Sequence, residues 1–388
     1  MTNTIGIVCE YNPFHHGHKF HIEEAKRASG AENVVCIMSG SMVQRGEPAI
    51  FDKWSRAKTA IDGGADLVIE LPAYYALQSA ENFAFGAVKI LDNLKITDAI
   101  CFGSEHGNSQ LLEKCASVIS NPDDIYRNEF DCRIDSGVSY PMASEYALRK
   151  CIPDLPDKFF SPNNILGMCY ISALMKLGSK MGIYTIKRNN DYHSSHTDDG
   201  YMSASAIREM LKSEDDNLSY IQYAPDYSGC DKHYLKNAES YILGFFRSAL
   251  PQNLKDIKGY EDGLANLVVK AASKSTTADM LFDSCVSKRY TLHRIKRFCM
   301  CCMLGIRGEL EPSYVRVLGA NRKGTALLKK IKKESSLDIV TKASDYHENK
   351  MFDMDVAASD FAFLCCDNAD KRICGMDFLN SPYIDVTK

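Results

Sequence analysis

Residues 9–18 read CEYNPFHHGH, and with His21 they place four imidazoles (His15, His16, His18 and His21) within seven positions. Imidazole serves as acid–base catalyst, as metal ligand, or as hydrogen-bond donor to an anion. Pro13 constrains the turn, and Gly17 lets a ligand approach the main chain closely. A helix is expected to begin here, and its first N–H groups favour an anion such as phosphate. His15 and His18, three apart across that helix start, can both address one phosphate. There they are suited to donate to oxygens whose charge grows as an α-phosphate is attacked and pyrophosphate departs. Zinc is the competing chemistry. No carboxylate or cysteine stands at a familiar ligand spacing nearby, and Cys9 belongs to the preceding apolar run, so no residue is assigned to a metal.

The turn needs a scaffold. Apolar runs at 4–9, 33–39, 66–72 and 98–104 read as strands, and helical periods at 17–28, 53–61 and 80–91 separate them. This alternation predicts an α/β fold, a Rossmann-like doubly wound parallel sheet covered on both faces. Residues 111–178 read as a helical insertion, 182–188 as a fifth strand, and 204–211 as a further helix. Ligands of such sheets sit in the crevice beyond the strand C-termini, where the histidine turn lies. An acidic linker at 212–217 predicts a boundary. Residues 1–212 are expected to form a catalytic domain and residues 213–388 a mainly helical second domain with little strand.

The chain of 388 residues is 45% hydrophobic and 25% charged, an ordinary globular balance that supports two domains. No run of about 18 uncharged apolar residues marks a membrane span. Fifteen cysteines sit largely inside apolar runs, including CMCC at 299–302, and read as small buried hydrophobes in a reducing, cytoplasmic setting. The net charge of −4 conceals an asymmetry, because residues 286–333 carry thirteen Lys/Arg against Glu309 and Glu311. That segment predicts contact with nucleic acid, with Lys288, Arg289, Arg294, Lys296, Arg297, Arg316, Arg322 and Lys323 as the candidate cations.

NPFHHGH resembles the H-x-G-H signature of the nucleotidylyltransferase superfamily, with Asn-Pro shortly before it. SASAIRE at 203–209 matches the superfamily's second motif, in which Ser203 or Ser205 caps a helix and Arg208 meets the β/γ-phosphates. With MSGSMVQRGEPAIFDKW, CFGSE, SPNNILG and YVRVLG, the chain is similar over essentially its full length to the tRNA(Met) cytidine acetate ligase family. His16 stands where that family usually has Asn, and Glu10 where the superfamily usually has Gly.

The resemblance implies that ATP and acetate give acetyl-adenylate, whose acetyl group passes to N4 of the wobble cytidine of elongator tRNA(Met). It implies Mg²⁺ on the phosphates and His15 and His18 as catalytic residues. Carried onto this chain, the ATP site comprises Val8, Cys9, Glu10, Tyr11, Asn12, Pro13, Phe14, His15, His16, Gly17, His18, Lys19, Phe20 and His21. Gly103, Asn163 or Asn164, Arg188, Ser203, Ser205 and Arg208 complete it. Arg45 and Lys53 either add charge to the triphosphate or pair on the surface with Glu47 and Asp52, and Trp54 reads as packing. Two alternatives stay open: a small-molecule nucleotidylyltransferase with a helical oligomerisation domain, and a non-catalytic RNA-binding protein holding ATP.

Overall fold

The expected strands form where the apolar runs place them. The computed structural model describes residues 2–187, 202–212 and 218–387. Its strands are β1 (Thr4–Cys9), β2 (Asn33–Ser39), β3 (Met42–Val43), β4 (Glu47–Pro48), β5 (Leu67–Leu71), β6 (Ala99–Ser104), β7 (Gly182–Lys187), β8 (Tyr314–Asn321), β9 (Asp338–Val340) and β10 (Tyr383–Asp385). The helices up to residue 212 are α1 (His16–Ser29), α2 (Lys53–Asp62), α3 (Ala73–Ala76), α4 (Ala80–Asn93), α5 (Ser109–Ser120), α6 (Asp124–Asp135), α7 (Tyr140–Cys151), α8 (Pro162–Leu177) and α9 (Ala204–Lys212). Then come α10 (Glu239–Ser248), α11 (Asp262–Ala272), α12 (Ala278–Ser284), α13 (Leu292–Met303), α14 (Arg322–Glu334), α15 (Lys350–Leu364) and α16 (Met376–Leu379).

The main sheet runs β10-β8-β5-β2-β1-β6-β7, with β9 beside β8. Strands β5, β2, β1, β6 and β7 are mutually parallel. The chain winds outward from β1 in both directions, so the switch point lies between β1 and β6. Alternate residues serve opposite faces. Ile5, Ile7, Val34, Cys36 and Val68 pack with Ile22, Ala57 and Ile61 of α1 and α2. Val35, Ile37, Leu67, Ile69 and Ile100 pack with α4, α8 and α14 through Ala87, Ile171 and Leu327.

The expectation of little strand beyond residue 217 is overturned. Strand β8 joins β5 antiparallel, and β9 and β10 pair parallel with β8, so residues on both sides of the expected boundary share one sheet. This union buries charge. Lys53 Nζ lies 2.7 Å from Glu70 of β5 and 2.8 Å from Asp377 of α16, and Arg316 of β8 pairs with Asp377. Asp355 accepts from Ala73 N at 2.7 Å and from the Tyr314 hydroxyl. All of these side chains are almost wholly buried.

Two cations against three carboxyls leave one carboxyl to hold a proton. Burial, with the Glu70 charge beside it, pushes Asp355 up to about 7. A carboxyl raised in the folded state binds more protons folded than unfolded. Its contribution to stability is therefore fullest below its ordinary range and falls as pH rises towards 7. Asp355→Asn is expected to flatten that decline relative to the unsubstituted protein, read as the difference between unfolding curves from pH about 4 to about 7.

Candidate active site

Two histidines cap the helix that begins at the switch point. His15 is the N-cap of α1, and its Nδ1 accepts from Gly17 N at 3.1 Å. The His15 N–H in turn donates to His18 Nδ1 at 3.3 Å, so each residue satisfies an orphan donor at the helix start. The rings lie 3.7 Å apart between centroids and 31° from parallel. Because both Nδ1 atoms accept, the neutral rings carry their protons on Nε2. Two neighbouring Nε2–H donors at a helix N-terminus suit an anion.

The turn itself is held from behind. Tyr11, Asn12, Pro13 and Phe14 are buried, with the Tyr11 ring 4.8 Å from that of His18 and Asn12 Oδ1 accepting from Ile50 N at 2.7 Å. These four shape the site and contribute little open side-chain surface. Val8, Cys9 and His21 are half-buried at its margin, and His21 Nε2 lies 3.7 Å from Cys101 Sγ. His16, Lys19 and Phe20 are exposed and with Glu23 line a shallow groove along α1.

Helix α9 brings the second motif to the same place. Ser203 Oγ accepts from Ala206 N at 3.2 Å, which makes it the cap. Ser205 instead joins two guanidinium groups: Arg208 Nη2 and Arg45 Nη2 each donate to its Oγ at 3.1 Å. Arg208 Nη1 also donates to the Asn12 carbonyl, so this motif is tied to the histidine turn. Arg45 thus joins the site, an outcome that the sequence left open. Lys53 does not, because it belongs to the buried ion cluster; Asp52 caps α2 through Ser55 N, and Glu47 pairs with Lys296. Glu10 Oε1 accepts from Gln44 N at 2.7 Å, and burial raises its carboxyl against the opposing pull of Arg208, Arg45 and Arg56.

Arg56 is a structural residue that the sequence did not reveal. It is fully buried and donates to the carbonyls of Phe51, Glu10, Ser39 and Gly40, which ties the ends of β1 and β2 together. In DKWSRAK it reads as one more surface cation of a helix, and no local signal separates it from Lys58.

CFGSE and SPNNILG form one latch. Glu105 accepts from Ser161 Oγ at 2.6 Å, Asn163 Nδ2 at 2.6 Å and Asn164 N at 3.1 Å, so it caps α8 from outside. These bonds hold its carboxyl below the usual range despite partial burial. Asn164 is buried, accepting from Ser104 Oγ at 2.6 Å and donating to Phe159 O at 2.8 Å, whereas Asn163 is half-buried. Asn164 therefore serves the interior. Asn164→Ala is expected to cost about 1–3 kcal/mol, measured by denaturant unfolding, because Ser104 and Phe159 lose their partner. Gly103 lies in β6 opposite Ile186 of β7, and Arg188 falls outside the described residues.

The basic segment divides. Arg316 is buried in β8 against Asp377, which removes it from any RNA surface and corrects the expectation. Lys296 and Arg297 of α13 are half-buried against the β3–β4 turn, through Glu47 at 3.5 Å and Gln44 O at 3.1 Å. Lys288 and Arg289 are exposed, and Arg289 and Arg294 both pair with Glu261. Arg322 and Lys323 are exposed at the start of α14, where Lys323 reaches Glu32 O below β2, at the opposite end of the sheet from the histidine turn. CMCC is core: Cys299, Cys301 and Cys302 are buried, and burial raises all three thiols. Among the described residues no cluster of three or more His, Cys, Asp or Glu is placed to hold a metal ion, and no helix is long and apolar enough to cross a membrane.

A doubly wound sheet with a histidine-capped helix at its switch point puts an anion-accepting helix start where the ligands of such α/β folds sit. The chain belongs to the HIGH Nucleotidyl Transferase family, whose model matches residues 2–375. It is 37% identical over 405 residues to the tRNA(Met) cytidine acetate ligase of Acetivibrio thermocellus, covering 96% of this chain and 98% of that one. The protein of the same name from a Thermoanaerobacter species is 38% identical, with 97% and 98% covered. Among solved structures, Thermotoga maritima TmcAL bound with alpha-thio ATP superposes with a TM-score of 0.90 at 29% identity, covering 99% of this chain and 100% of that one. The apo form of the same protein gives 0.91 at 28% identity, with the same coverage.

Proposed function

We propose that this chain is an ATP-dependent ligase that converts acetate to acetyl-adenylate and acetylates N4 of the wobble cytidine of elongator tRNA(Met). The observation that carries the reading is the reciprocal His15–His18 cap at the switch point, in a chain alike from end to end to ligases of that name. Acetate is ionised at neutral pH and attacks the α-phosphorus without a general base. The bond from that phosphorus to the β-bridging oxygen breaks, and pyrophosphate leaves. His15 and His18 donate through Nε2 to the phosphate oxygens as charge moves onto them, and Arg45 and Arg208 offset charge on the outer phosphates.

The N4 amine then attacks the acetyl carbonyl, AMP leaves, and the amine proton passes to solvent. Activation of the acyl group is needed because the cytosine N4 lone pair is delocalised into the ring. Mg²⁺ enters with ATP as part of the substrate, on the phosphate oxygens; the described residues build no carboxylate cage for it. Asn163, the less buried of the two asparagines, and the Gly103 backbone are the assigned contacts to base or ribose. Lys288 and Arg289, just before α13, and Arg294 in its first turn are assigned to tRNA phosphates. Arg322 and Lys323 would meet RNA only on a separate face.

The test is incubation with ATP, Mg²⁺, labelled acetate and total tRNA, followed by digestion to nucleosides. Label in acetylated cytidine is expected. Pyrophosphate release that ignores acetate, or label absent from cytidine, would favour a small-molecule nucleotidylyltransferase or a non-catalytic RNA binder.

A further inference from the structure

The turn between β3 and β4 is gripped from both sides. The Gln44 N–H donates to Glu10 at the end of β1, and the Gln44 carbonyl accepts from Arg297 Nη1 of α13 at 3.1 Å. Gly46 follows with φ +77, and a Cβ there would lie 2.4 Å from the Arg297 backbone nitrogen and 2.7 Å from the Lys296 carbonyl carbon. Only glycine fits both that conformation and that approach. Lys296 closes the other side of the turn on Glu47. Arg45, held between Gln44 and Gly46, reaches Ser205 alongside Arg208. The place of the Arg45 guanidinium thus depends on a helix more than 240 residues further along the chain.

We propose that Arg297 is a positioning residue for the phosphate site, acting through the Gln44 peptide on Arg45, and not a ligand of RNA. Its side chain is half-buried, and burial lowers its pKa, as suits a group spent on a protein carbonyl. The same helix begins beside Lys288, Arg289 and Arg294, so α13 joins the RNA side of the molecule to the nucleotide side. The inference rests on the proposed ATP chemistry only in taking a triphosphate as the anion that Arg45 meets.

Its test is therefore binding of ATP alone by calorimetry, without acetate or tRNA, to the full chain. Arg297→Ala is expected to weaken ATP binding about tenfold, the loss of one charge-assisted hydrogen bond felt at Arg45. Arg297→Lys should recover part of the loss, because an ammonium can still donate to the Gln44 carbonyl. Gly46→Ala should match Arg297→Ala by a route that leaves the guanidinium in place. In a parallel titration with tRNA, Arg297→Ala should keep the slope of log K against log salt, whereas Arg289→Ala should reduce it by about one. ATP affinity unchanged in folded Arg297→Ala, or a salt slope reduced by about one in that variant, would overturn the proposal. If the unsubstituted protein binds no ATP, the functional reading fails instead, and the two failures are distinct.

Discussion

His18→Ala is expected to slow acetate-dependent pyrophosphate release by about 10²–10³-fold, the usual consequence of deleting one preorganised donor to a developing negative charge. Two effects overlap in this variant and are separable. His18 Nδ1 accepts from the His15 N–H, so its removal opens half of the reciprocal cap, worth about 0.5–2 kcal/mol of helix stability. It also removes the ring packed against that of His15, which makes the kinetic loss larger than a single donor suggests. Unfolding curves report the first effect, and turnover at saturating ATP reports the second. A folded variant with turnover within about threefold of the unsubstituted protein would remove the imidazoles from the chemistry.

Arg316→Ala has the largest expected effect on stability, about 3–5 kcal/mol, because it strands a buried carboxylate. Arg316 is 4% exposed, pairs with Asp377 and lies 3.7 Å from Glu70, while Lys53 alone would remain to face both acids. The strand that carries Arg316 links β5 to β9 and β10, so the loss should appear in the main unfolding transition and not in a local one. The salt dependence of tRNA binding in the folded fraction should stay unchanged. Denaturant unfolding within about 0.5 kcal/mol of the unsubstituted protein would show the cluster to be dispensable.

Much of this arrangement is legible without coordinates. The β1, β2, β6 and α1 boundaries fall within one or two residues of those expected, because alternation and helical period are local patterns. The histidine turn is legible for the same reason: His15, His18 and Gly17 are contiguous, and their helix follows directly. Ser203, Ser205 and Arg208 form a second contiguous motif, and only their meeting with Asn12 required the fold.

Other residues carry no local mark of their role. YVRVLGAN reads as part of a basic segment, yet it is a fully buried strand, because its pairing with β5 is antiparallel and distant in sequence. Arg316, Lys53 and Arg56 look like surface cations until the acids and carbonyls that meet them are placed. The Arg316–Asp377 pair spans 61 residues, and charge composition cannot tell a paired cation from a solvated one. Residues close together in the chain set the α/β winding, the histidine-capped helix start and the family, and each could be read from the sequence. Only the long-range fold sets which cations face solvent, which of two asparagines stays half-open, and how α13 reaches the Gln44 carbonyl. Those depend on long-range packing, where burial and the nearest opposite charge, not residue type, set what a side chain can do.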